Sequence, residues 1–137
     1  MGHWGCLLVI TAVVGCGAAA APLSCQVNRV VDGDTLHLTC GGVGHRVRLL
    51  GYDTPEVFHP LCAAEGMAGK RATARLAELV ATGPVTGVIF AGRDRYGRDL
   101  ASVKIGGRDV AGYMLASNLT RPYQGRQHPD WCGILAG

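Results

Sequence analysis

Val31-Asp32-Gly33-Asp34-Thr35 is followed, thirteen residues on, by Arg48-Leu49-Leu50-Gly51-Tyr52-Asp53-Thr54-Pro55-Glu56. These two segments supply Asp34, Asp53 and Glu56 as oxygen ligands or bases, and Arg48 as a guanidinium. A third segment, Asp94-Arg95-Tyr96-Gly97-Arg98, adds a second guanidinium. Carboxylates that hold a hard cation, with two arginines that hold a phosphate, point to metal-assisted cleavage of a phosphodiester. Planar guanidiniums donate paired hydrogen bonds to phosphate oxygens in a way that lysine does not match. Glu56 must stay ionised to accept a proton from water, and a nearby cation and the arginines are expected to lower its pKa.

Each segment also has a plainer reading. Asp-Gly serves most often as a bare turn. Asp53-Thr54-Pro55-Glu56 can simply satisfy loop backbone donors, since Asp and Thr do so well. Arg48 reads equally as a solvated strand residue, and Arg98 as a turn residue. Their joint occurrence favours the chemical reading. Asp34 leaves a hairpin and Asp53 ends an adjoining strand, and neighbouring strand ends converge in a small barrel. Two carboxylates brought together there repel unless a cation lies between them.

The positioning elements are legible in outline. Val27 to Val31 and Thr35 to Cys40 are β-rich runs joined through Asp32-Gly33-Asp34, a strong hairpin signal. His45 to Gly51 reads as a third strand, in which Val47 and Leu49 alternate with Arg46 and Arg48. The arginines therefore face away from the side that buries the apolar pair. Asp53 to Pro60 is a loop. Glu65 to about Val80 has Ala68, Ala72, Leu76, Leu79 and Val80 at helical spacing, with Gly83-Pro84 as a stop and Gly66 and Gly69 weakening its first turn. Val85 to Phe90 and Asp99 to Ile105 are two more strands, with Tyr96-Gly97 in the turn between them. Asp109 is expected to N-cap a short helix through Ser117, with Asn118 as a left-handed C-cap. The pattern is β-rich α+β. Five short strands with a helix between the third and fourth, and two to three helices in all, suit a Greek-key barrel of the OB type.

The chain has 137 residues, 48% of them apolar, with a formal net charge of +3. That is one domain, able to bury a core, with a charge compatible with an anionic partner. Leu7 to Ala21 carry no charged side chain and end in four alanines. The run is too short for a comfortable membrane span and suits a secretory signal with cleavage near Ala20, although no Lys or Arg precedes it. Residues 1–21 are therefore read as a signal peptide and 22–137 as the exported domain, secreted or periplasmic. Val13-Val14-Gly15-Cys16 offers a second reading, a lipoprotein leader ending before a lipid-bearing Cys16. Beyond the leader lie Cys25, Cys40, Cys62 and Cys132, an even number that suggests two disulfides in an exported domain. Four cysteines permit three pairings. Cys25 and Cys40 flank the hairpin and could face each other across it, a pairing that would leave Cys62 with Cys132, while the connectivity stays open. Zinc lacks support, because no CxxC or CxxH spacing is present.

From about Val27 to Tyr123 the sequence resembles the staphylococcal nuclease (thermonuclease) family. The resemblance is carried by VVDGDT, RVRLLGYDTPE and DRYGRDLA, in the family's order and at similar separations. It implies an OB barrel with helices and a calcium-dependent nuclease that cleaves DNA and RNA to 3′-phosphate ends. Asp34 and Asp53 match the calcium-binding carboxylates, and Thr54 matches the residue whose carbonyl completes the protein's share of the shell. Glu56 matches the carboxylate that activates the attacking water, and Arg48 and Arg98 the pair that grips the scissile phosphate. Arg95 and Tyr96 correspond to residues that contact a neighbouring phosphate. Tyr123 lies in the segment that supplies base-stacking tyrosines, where the correspondence is poor. The staphylococcal type continues with a further helix beyond the position of Tyr123. The expectation is that a Cys62–Cys132 staple replaces what that helix contributes. Backbone contacts imply little sequence preference, and an OB groove implies a preference for single strands. A barrel of this size is expected to be a monomer.

The remaining candidates carry less. His37, His45, His59 and His128 show no metal-pair spacing, and His59 beside Pro60 reads as a loop residue. Trp131 reads as core. Lys70, Arg71 and Arg75 share a helix and read as a solvated face. Two rival functions are a silent OB module that binds nucleic acid, and a surface-anchored lipoprotein. The first is expected to have lost Glu56 or an arginine, and the second rests on Cys16 alone.

Overall fold

A computed structural model describes residues 23–137 and isolated positions before them. The expected signal sequence, its cleavage near Ala20 and the proposed anchor at Cys16 lie outside the described residues.

Strands β1 (Cys25–Asp32) and β2 (Thr35–Cys40) form the expected antiparallel hairpin. Its turn is closed by the Asp34 N–H donating to Asp32 Oδ1 at 3.1 Å, an aspartate satisfying the backbone two residues on. Strand period two sends Leu36, Leu38 and Cys40 into the core. Strand β3 (Val43–Leu49) pairs antiparallel with β2, with Thr35 opposite Arg48. Helix α1 (Ala63–Val80) then crosses over, so that β3 and β6 (Asp99–Ile105) run parallel. Strand β5 (Val85–Arg93) pairs antiparallel with β6 on its far edge. The path β1-β2-β3-β6-β5 is the order of a five-stranded Greek-key barrel, as expected. A two-residue β7 (Arg108–Asp109) adds to β6. Helix α2 (Val110–Leu115) follows, with the Asp109 side chain accepting from the Gly112 N–H as its N-cap.

The expected third strand to Gly51 is two strands. The ladder breaks at Leu50, and Gly51–Asp53 (β4) pairs instead with β8 (Arg121–Tyr123) in a separate two-stranded sheet. Gly51 makes this turn with φ +96°, which an L side chain rarely adopts. Helix α1 starts two residues earlier than expected and retains both glycines. The left-handed C-cap at Asn118 does not form: no described residue other than glycine has positive φ. Helix α2 ends at Leu115 with Ala116 as its right-handed C-cap, short of the expected Ser117, and the Ser117 and Thr120 hydroxyls both donate to the Met114 carbonyl. A third helix, α3 (Trp131–Ala136), packs on α1.

The core lies between the barrel and α1. Ala72, Leu76 and Leu79 present one buried helix stripe to a core that includes Leu36, Leu38, Val47, Leu49, Val103 and Ile105. Both expected disulfides are present. Cys25–Cys40 joins directly paired residues of the hairpin, and Cys62–Cys132 ties the start of α1 to the first turn of α3.

Candidate active site

Arg46 and Arg48 do face away from Val47 and Leu49. Arg46 is exposed, but Arg48 is only 6% exposed, because the opposite face of β3 is covered by β4 and the C-terminal segment. Arg48 Nη1 donates to the carbonyls of Leu49 and Tyr52, and its Nη2 lies 3.0 Å from Asp53 Oδ1 and 3.3 Å from Asp34 Oδ2. One guanidinium nitrogen thus touches both carboxylates, so Asp34 and Asp53 are neighbours across nineteen residues of sequence. Tyr52, fully buried, fixes β4 to the hairpin by donating its hydroxyl to the Gly33 carbonyl at 2.8 Å.

Arg98 reaches the same place from the other side of the barrel end. Its Nη1 donates to Thr35 Oγ1 at 3.2 Å, and that hydroxyl donates to Asp34 Oδ1 at 2.9 Å. Asp94 aims Arg98: its Oδ2 accepts from Arg98 Nε at 2.7 Å, and its Oδ1 accepts from the backbone N–H groups of Tyr96 and Arg98. Burial works to raise the Asp94 pKa, but the Arg98 N–H and guanidinium outweigh it and hold the carboxyl below its usual value. A cavity of about 650 Å³ opens beside this cluster. Arg48, Arg98, Arg95, Tyr96 and Tyr123 line it, together with Arg126 and His128. Four arginines against one aspartate make its wall cationic. Arg95 stacks over the Tyr96 ring and donates to its hydroxyl at 2.6 Å.

The carboxylates carry an excess of negative charge at one spot. Asp32 is pushed up to about 6 by burial and by the charge on Asp34. Glu56 is also raised, first by desolvation and then by Asp34, Glu65 and Asp53, with His59 opposing. Asp34 and Asp53, brought together by Arg48 Nη2, offer hard oxygen donors of the kind that a divalent hard cation takes. Thr54 is buried beside it and donates its hydroxyl to Asp34 Oδ2 at 3.3 Å. By contrast, the cluster of Cys62, Glu65 and Cys132 holds no thiolate, since both sulfurs are bonded to each other.

Three further residues support the site, and the sequence did not reveal their contacts. Trp131 is buried, as expected, but its indole N–H donates to Asp53 Oδ2 at 2.9 Å. His128 Nδ1 lies 3.1 Å from Asp53 Oδ1, and its ring stacks on Tyr123 at 4.6 Å. In this structure the Tyr123 ring thus has the His128 imidazole stacked on it and the Arg48 guanidinium 5.5 Å from its centroid. Glu65, 4% exposed, accepts from the backbone N–H groups of Glu56 and Leu61 at 3.3 and 2.7 Å, which pins the loop that carries Glu56. No sequence spacing links Trp131 or His128 to Asp53, whereas Glu65 in the first turn of α1 reaches back to the Leu61 N–H just ahead of the N-cap.

The family model for staphylococcal nuclease homologues matches residues 46–130. The chain belongs to that family. Among relatives of this nuclease homologue, the SPbeta prophage-derived endonuclease YokF of Bacillus subtilis is 38% identical over 97 residues, covering 69% of this chain and 32% of the relative. Endonuclease YncB of the same organism is 36% identical over 97 residues, covering 69% and 46%. The succinoglycan biosynthesis protein ExoI of Rhizobium meliloti is 31% identical over 118 residues, covering 82% and 59%. The nuclease homologue thus spans about a third to three-fifths of the length of these curated relatives. The matched stretch includes Arg48, Asp53, Glu56 and Arg98. Asp34 lies before it and is delivered by the register of β2 on β3.

Proposed function

We propose that the chain is an exported, calcium-dependent nuclease that hydrolyses DNA and RNA phosphodiester bonds with little sequence preference and leaves 3′-phosphate ends. One observation carries this reading: Arg48 and Arg98, fifty residues apart, both line one cationic cavity and converge on Asp34, Arg48 directly and Arg98 through the Thr35 hydroxyl.

In this reading Asp34, Asp53 and the Thr54 carbonyl hold the cation. Calcium bound there supplies positive charge to a phosphate oxygen and to the transition state. Arg48 and Arg98 bind the non-bridging oxygens of the same phosphate and donate to them as negative charge builds. Glu56 accepts the proton of the attacking water. Arg95 and Tyr96 contact an adjacent phosphate, and Tyr123 stacks on a base once it parts from His128. Phosphate contacts carry no sequence information, and an open groove takes single strands more readily than duplexes.

The apolar stretch before Pro22 and the two disulfides support export to an oxidising compartment. The domain boundary near residue 21 and a monomeric state belong to the same proposal. Lipidation at Cys16 is the competing form, which the mass of the mature N-terminus decides. The function is tested by incubating the purified protein with denatured DNA, and separately with RNA, in calcium or in chelator. Calcium-dependent loss of polymer, with product ends that release phosphate to a phosphomonoesterase, is expected. Intact polymer in calcium contradicts the proposal.

A further inference from the structure

Asp53 is held by three donors. Arg48 and His128 share its Oδ1, and the Trp131 indole N–H takes its Oδ2. Two of the three come from the C-terminal segment, 75 and 78 residues away in sequence. Trp131 is 4% exposed and opens α3. The next residue, Cys132, is bonded to Cys62 at the N-cap of α1. The indole is therefore covalently tied to the helix whose Glu65 pins the Glu56 loop.

The donors differ in what they do to the carboxylate. Arg48 is a full positive charge, and left alone it draws Asp53 into a closed ion pair that competes with any cation. An indole N–H is neutral and is a donor only. It satisfies one oxygen and fixes the plane of the carboxylate without cancelling its charge. Groups of this kind, one step removed from a ligand, set ligand orientation and basicity. We propose that Trp131 is a positioning residue for Asp53: its N–H fixes the carboxylate and so sets the affinity of the site for a divalent cation, and Cys62–Cys132 holds the indole in place. The inference rests on the reading of Asp34 and Asp53 as cation ligands.

The test is calcium binding, measured by titration calorimetry on the full chain without substrate. Trp131→Phe keeps an aromatic ring in the pocket and removes the N–H. Its calcium affinity is expected to fall about ten-fold, with circular dichroism unchanged. A folded Trp131→Phe protein that binds calcium as the parent does overturns the inference, while a parent that binds no calcium overturns the functional reading together with it. Should Trp131→Phe fail to fold, terbium replaces calcium in a Trp4→Phe protein, where Trp131 is the remaining tryptophan of two. Terbium emission excited through the indole, displaced by calcium and lost in Cys62→Ser/Cys132→Ser, supports the inference. Terbium bound without indole-excited emission overturns it.

Discussion

Asp99 shows how much a single carboxylate in this protein depends on its donors. His45 Nδ1 lies 2.8 Å from its Oδ2, and Arg93 Nε donates to its Oδ1 at 2.9 Å. The His45 hydrogen bond, aided by Arg93, holds its pKa below the usual value against a smaller opposing effect of burial. A depressed acid contributes stability above its unfolded pKa and loses it as the pH falls through the folded one. Urea unfolding midpoints are therefore expected to drop between about pH 4 and the lowered Asp99 value, and Asp99→Asn is expected to blunt that drop. An identical acid profile in the variant contradicts the assignment. The same local logic made much of the cleft readable in the sequence. Asp34, Arg48, Asp53 and Arg98 sit at turn or strand-end positions where alternation and hairpin chemistry fix direction. Trp131 and His128 were not readable as partners of Asp53, because a hydrogen bond across more than seventy residues leaves no periodic trace. Glu56 lies in a loop, as its neighbouring prolines suggest, yet the direction of its pKa depends on burial and on neighbours that only the fold assembles.

At the scale of elements, helix α1 and the loop before it act as one unit. Gly69 looked like a weakness in the helix, but a Cβ there would lie 2.7 Å from the Pro55 carbonyl oxygen and 2.9 Å from that of Glu56. The glycine lets the helix pack on the loop that carries the proposed base. Gly69→Ala is expected to destabilise the fold by about 1–3 kcal/mol, as overpacking does, and to slow turnover by displacing Glu56. Urea denaturation and turnover of the same preparation check both. Unchanged stability and rate contradict this packing role. The Cys62–Cys132 bond closes a loop with a sequence separation of 70. In the chain-entropy model its loss costs roughly 4 kcal/mol, so Cys62→Ser/Cys132→Ser is expected to unfold at markedly lower urea. Long periodic elements (the hairpin, α1, β5 and β6) were legible because their apolar spacing is sustained over six or more residues. Strands β4 and β8, three residues each, and α3, six residues, are too short for periodicity to declare. Their existence follows from Gly51 turning the chain and from the disulfide anchoring its end.

For the whole molecule, the barrel brings turn, strand end and C-terminal segment to one rim, which no single element contains. A net charge of +3 is modest, but four of the eleven arginines line that rim. The surface thus presents a local cationic mouth to a polyanion rather than a uniformly basic face. The central claim is that Arg48 and Arg98 act on one phosphate. The most direct measurement is the turnover of denatured DNA in calcium by the parent, Arg48→Lys, Arg98→Lys and the double variant, each checked for folding. Each single change is expected to slow turnover about 10²- to 10³-fold, because lysine keeps the charge but not the paired donors. The double variant is expected to be much less impaired than the product of the two factors, as for residues that act as a unit. Folded single variants that cleave at the parent rate contradict the account.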